Sequence, residues 1–135
     1  MLQNNNYNKL VLAQHLDDIV ESCMMAMIHN GQIRTMKAIY TGERGVQVIR
    51  PLVYTRETLT RDYAKGNNLP IINENCPACF EQPKERHRVK SMLAREESLF
   101  PDLFANCRKA LLPFMDDSIY DEVKKRVNKI EENRA

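Results

Sequence analysis

The chain has 135 residues, 28% of them charged and 43% hydrophobic, the balance of one globular domain with a modest core. A formal charge of +2 is too small to argue for nucleic acid by itself, so that argument rests on local clusters of cations. No apolar run approaches the ~20 residues of a membrane span, and Met1-Leu2-Gln3-Asn4 lacks the basic-then-apolar order of an export signal. Four cysteines without such a signal point to reduced thiols or metal ligands in a cytoplasmic setting.

Taken in chain order, residues 1–8 read as a disordered, asparagine-rich lead-in. Leu10-Val11-Leu12-Ala13 reads as a short buried strand, followed at once by Gln14-His15-Leu16-Asp17-Asp18. The first helix is expected from about Asp17 to His29. Ile19, Val20, Cys23, Met24, Met27 and Ile28 form its apolar stripe, and Asn30-Gly31 closes it. Acids in its first turn suit the positive end of the helix dipole.

Lys37 to Thr41 and Val46 to Tyr54 read as a hairpin through Gly42-Glu43-Arg44-Gly45, with Pro51 at an edge or where pairing ends. Thr55 is expected to cap a helix ending at Lys65, with Gly66 as its C-cap, and Leu69 to Ile72 a short buried extended segment. Pro83 opens a helix to about Ser98. Phe100, Leu103, Phe104, Cys107, Leu111 and Phe114 form the apolar face of the next helix, and Ser118 with Asp121 resembles the capping box of a last one. The organisation is thus an α/β part over 9–82 and a helical extension over 83–135.

Four groups carry chemistry. His15, Asp17 and Asp18 stand at a strand-to-helix switch, the usual binding edge of an open α/β sheet. Carboxylates there can hold magnesium and a histidine can orient phosphate, although aspartates at a helix start also simply cap it. Cys76-Pro77-Ala78-Cys79 lets two sulfurs reach one metal or form a redox pair, or is two reduced thiols in a turn. Cys23 and Cys107 fall on apolar stripes and read as core. Lys84, Arg88 and nearby cations, with Arg34 and Lys37 in the loop after the first helix, form either an RNA surface or a solvated helix face. Arg50 leaves a strand beside the first group, where a guanidinium could clamp phosphate or pair with Glu57.

Gln14 to Ser22, His29 to Met36, Val48 to Glu57 and Leu69 to Cys79 occur in one ordered series. Over Lys9 to Met115 that series resembles the C-terminal half of a PP-loop ATPase of the tRNA 2-thiocytidine synthetase type. The resemblance implies an adenine nucleotide alpha-hydrolase-like, Rossmann-related fold with a parallel sheet and flanking helices. It also implies an enzyme that uses ATP and magnesium to adenylate a tRNA cytidine, after which sulfur displaces AMP. His15, Asp17 and Asp18 match the family's His-x-x-Asp-Asp-like element. Cys76 and Cys79 fall where it supplies a ligand of an iron–sulfur cluster, with zinc as the other metal suited to such a pair.

The family's Gly before the histidine is Gln14 here, and neither its Ser-Gly-Gly-x-Asp-Ser loop nor a second Cys-x-x-Cys occurs in the sequence. The chain is therefore expected to need tRNA and an N-terminal half or partner subunit, to be inactive alone, and to cover its exposed core by pairing, a homodimer included. Two other readings compete: a truncated, non-enzymatic RNA- or protein-binding module, and a lysidine-synthetase-like ligase fragment.

Overall fold

The computed structural model describes residues 7–42, 45–70 and 84–116, the last segment from Lys84 by its backbone and from Glu85 by its side chains. Three short strands form one mixed sheet: β1 (Lys9–Val11), β2 (Ile39–Thr41) and β3 (Gln47–Ile49), in the order β1-β3-β2. β1 runs parallel to β3 with Leu10 opposite Val48, and β2 runs antiparallel to β3 with Tyr40 opposite Val48. Between β1 and β2 lies α1 (Leu16–Asn30), and after β3 come α2 (Glu57–Gly66), α3 (Lys84–Leu99) and α4 (Leu103–Met115). The expected α/β class holds. The sheet is parallel only between β1 and β3, because the hairpin adds β2 in the opposite sense.

The core is chiefly helical. Leu16, Ile19, Val20 and Cys23 of α1 pack with Val89 and Leu93 of α3, Phe104, Leu111 and Met115 of α4, and Val53 from the turn after β3. Ile19, Val89 and Met115 are completely buried. The stripe expected on α1 is buried only over its first turns. Met27 and Ile28 emerge into solvent, while Ala26 takes a core position. On α4 the buried face is set by Phe104, Leu111 and Met115. Phe100 precedes that helix and is exposed, and Phe114 is also exposed.

Four local expectations are corrected. β1 forms, but it is not buried, because it is an edge strand whose outer side has no neighbour among the described residues. The second hairpin strand stops at Ile49 instead of reaching Tyr54. Arg50 N donates to Ala38 O at 2.8 Å, Pro51 has no N–H to continue the ladder, and Thr55 N then closes a turn onto Leu52 O. α2 starts one residue later than a Thr55 cap allows and runs through Gly66. The left-handed residue after it is Asn68 (φ 50°). Leu69 is exposed rather than buried.

The close of α1 is as expected. Gly31 adopts φ 62°, its N–H meets Met27 O, and Gln32 N meets Ala26 O, the paired closure that a glycine permits. The lead-in up to residue 6, Ile71 and Ile72, Cys76 and Cys79, the helix start at Pro83, the Lys84 side chain and the helix from Ser118 lie outside the described residues. No helix among those described is long and apolar enough to cross a membrane.

Candidate functional site

β1 ends at Val11, and the chain turns into α1 at His15, whose extended backbone makes it the N-cap. His15 Nδ1 accepts from Asp18 N at 3.4 Å, and Asp18 Oδ2 accepts from His15 N at 3.1 Å. A histidine thus fills the place of the usual Ser or Thr in a reciprocal capping box. Nδ1 also lies 3.3 Å from Asp18 Oδ2 and 3.8 Å from Asp17 Oδ2, so the turn occupies that nitrogen and Nε2 is the one left to meet a ligand.

Asp17 turns the other way and is buried. Its carboxylate accepts from Arg56 Nε and Nη2 at 3.2–3.3 Å and from Glu57 N at 2.7 Å. It therefore caps α2 from a different element, supplying the acceptor that Arg56, the donor-only side chain at that helix's own N-cap position, does not have. Arg56 also donates to both oxygens of Glu97 on α3 and lies 3.6 Å from the centroid of the Phe104 ring. Partial burial works to lower the guanidinium pKa, but the hydrogen bonds and charges of Glu97 and Asp17 outweigh it and raise the value. Asp18 Oδ1 accepts from Arg86 of α3, whose Nε binds the buried Glu21 at 3.0 Å. Each acid of the motif is thus held by one arginine.

Arg50 is nearly buried at the end of β3. Its Nε donates to Gln14 Oε1 at 3.1 Å, its Nη1 donates to Lys37 O at 2.8 Å, and it lies 5.5 Å from the centroid of the Tyr40 ring. The expected neighbourhood of Arg50 and the His15 turn is therefore present, through Gln14. The alternative pairing with Glu57 is not: Glu57 binds Lys90 at 2.8 Å and Arg61 at 2.6 Å. Lys90 chiefly, and Arg61, hold the Glu57 carboxyl below its ordinary range.

The expected RNA-facing cations divide. Arg34 lies exposed in the loop after α1, and Lys37 is exposed with its carbonyl under Arg50. Arg88 is bonded within its own helix to Glu85, which also meets His29 at 2.8 Å. Glu85 is held below its ordinary range first by Arg88 and then by His29. Arg95 pairs with Glu96, so much of the α3 cation run is neutralised locally.

Among the described residues no cluster of three or more His, Cys, Asp or Glu is arranged for a metal. Cys23 is buried and Cys107 half-buried, as their stripes implied. Burial pushes both thiols up, against a hydrogen bond from the Arg34 backbone at Cys23 and with a smaller contribution from Cys23 at Cys107. Burial therefore disfavours the thiolate at both positions. What sequence reasoning missed is the bracing role of Arg56 and Arg86, which stand in the basic groups of the sequence. Their basic character was visible, but the partners that give them a place lie 39 and 68 residues away.

Fold and site together define an α/β domain with a His–acid turn where a parallel strand enters a helix, braced by arginines from later elements. The PP-loop domain family matches residues 1–97, and the chain belongs to that family. Relatives include the tRNA-cytidine(32) 2-sulfurtransferase of Geobacter metallireducens, 30% identical over 94% of this chain and 50% of its own length. Proteins of the same name from Nitrosospira multiformis and Pseudoalteromonas atlantica are 34% and 37% identical, over 84% and 76% of this chain and 40% and 32% of theirs. The chain thus spans half or less of the length of these relatives.

Proposed function

We propose that this chain supplies the His–acid turn, the RNA-facing cations and the cysteine pair of an ATP-dependent tRNA-thiolating enzyme that forms 2-thiocytidine. The observation that carries the reading is the family match over residues 1–97, coinciding with a turn in which His15 Nδ1 is engaged with Asp18 and Arg50 binds the adjoining Gln14. The tRNA substrate is taken from the names of the relatives, which act on cytidine 32. In this reaction the cytidine O2 attacks the α-phosphate of ATP and pyrophosphate leaves. A sulfur nucleophile then displaces AMP.

His15 donates from Nε2 to a phosphate oxygen, and Arg50 adds positive charge at the adjacent strand end. Asp17 and Asp18 act by position. Their oxygens already accept from Arg56, Glu57 N, Arg86 and His15 N, which suits holding the turn rather than ligating magnesium. Magnesium and the pyrophosphate grip are therefore assigned to the Ser-Gly-Gly-x-Asp-Ser half, in cis or on a partner subunit.

Cys76 and Cys79 offer two soft thiolates spaced for one metal, a donor pair that suits iron or zinc. A bound iron–sulfur cluster would supply a site for carrying sulfur, with its other cysteine ligands from the half that bears the upstream Cys-x-x-Cys. A tRNA-modifying role places the enzyme in the cytoplasm.

The test is anaerobic reconstitution with ATP, magnesium, a sulfur donor and unmodified tRNA, with and without a polypeptide bearing the phosphate-binding half. Thiolated nucleoside is then measured by mass spectrometry. Product should require both parts and fall at least ~100-fold in His15→Ala. Product from this chain alone would overturn the composite-site reading, and tRNA binding without any product from the pair would favour a binding module.

A further inference from the structure

A cleft of about 550 Å³ opens between the second half of α1, the loop after it and the start of α3. Its floor includes Met25 and Met36, both packed against the core, and its walls carry Arg34, Arg86 and His29. No carboxylate lines it. Two of the three basic side chains are already tethered just outside it, Arg86 to Asp18 and Glu21, and His29 to Glu85. Arg34 has no ion-pair partner among the described residues and is exposed. Through Arg86 the cleft is continuous with the His15–Asp18 turn.

A groove with an apolar floor, polar walls and one uncommitted guanidinium fits a nucleotide of a single-stranded RNA segment: base on the methionines, phosphodiester on the arginines. We infer that this cleft holds the tRNA backbone flanking the target cytidine, with Arg34 as its principal phosphate contact; the inference rests on the tRNA reading above. Arg86, braced by two acids, sets the wall. Arg34, unbraced, closes on the strand.

The experiment measures binding of the full chain to a fluorescent, unmodified tRNA transcript carrying cytidine 32 across a salt series, with circular dichroism confirming that each variant is folded. Arg34→Gln should weaken binding roughly three- to tenfold and lower the slope of log Kobs against log salt by about one. Arg34→Glu should weaken it further, and Arg34→Lys should retain most of it. Arg108→Glu, at an exposed position of α4, makes the same charge change as Arg34→Glu away from the cleft and should change affinity by less than about threefold. Tight binding unaltered by Arg34→Glu, or equally lowered by Arg108→Glu, would overturn the cleft while leaving the tRNA reading intact. No binding by the unaltered chain would remove both.

Discussion

At the scale of single residues, Asp17 does more than its place in a His–acid motif suggests. One carboxylate caps α2, neutralises Arg56 and, through Arg56, reaches Glu97 and the Phe104 ring. Asp17→Ala should therefore leave a partly desolvated guanidinium and an uncapped helix, at a cost of about 2–3 kcal/mol read from the urea midpoint. Asp18→Ala should cost less, since Arg86 is 45% exposed and keeps Glu21. Glu57 gives a pH signature. Its folded pKa is depressed by Lys90 and Arg61, so its stabilisation is present above the unfolded carboxylate value of about 4.3 and is lost as pH falls through the lower folded value. Glu57→Gln should flatten that acid limb of a stability–pH curve and leave stability near neutral pH changed by less than about 1 kcal/mol.

Elements show what local chemistry can and cannot announce. The end of α1 was legible because Asn30-Gly31 needs only its own neighbours to close the helix, and the hairpin was legible from β-rich runs around Gly42 and Gly45. The start of α2 was not. Thr55 has the right chemistry for a cap, but the bond comes from Asp17, 40 residues earlier, and such a partner has no local signal. The end of α2 misled for a related reason: Gly66 stays helical while Asn68 takes the left-handed turn. Of the candidate site, the His15 turn and the proximity of Arg50 could be read from residue type and strand ends, whereas the bracing by Arg56 and Arg86 depends on tertiary contacts. The two glycines should then respond oppositely. Gly66→Ala meets nothing within 4 Å and should stabilise by about 0.5–1 kcal/mol. Gly31→Ala, at φ 62°, should destabilise by about 1 kcal/mol, both measured by thermal or urea unfolding.

For the whole molecule, the decisive feature is a sheet with one face open to solvent among the described residues. Ala38 packs on the helical core, and alternation puts Tyr40, Val48 and Leu10 on that same face. The opposite face carries the row Val11–Ile49–Ile39, with Val11 62% and Ile39 52% exposed. α2 adds a second uncovered apolar surface, since none of its residues is buried and Leu59 and Tyr63 stand open beside Leu52. Parallel strands normally have both faces covered, and an open edge beside an apolar row invites association. The relatives are twice as long or more, and on the composite-site reading proposed above a phosphate-binding half is the natural cover. In isolation the chain should therefore self-associate in sedimentation velocity, increasingly so at higher concentration. Ile39→Lys and Val11→Lys should return it to a monomer at little cost in stability, because both side chains are already in solvent. The same two substitutions should weaken capture by a polypeptide bearing the phosphate-binding half, whereas reversing the charge at exposed Lys109 (Lys109→Glu) should do neither. If Ile39→Lys and Val11→Lys left both self-association and capture unchanged, the open sheet face would be a tolerated surface and the complementing half would have to dock elsewhere, with α2 the next surface to test.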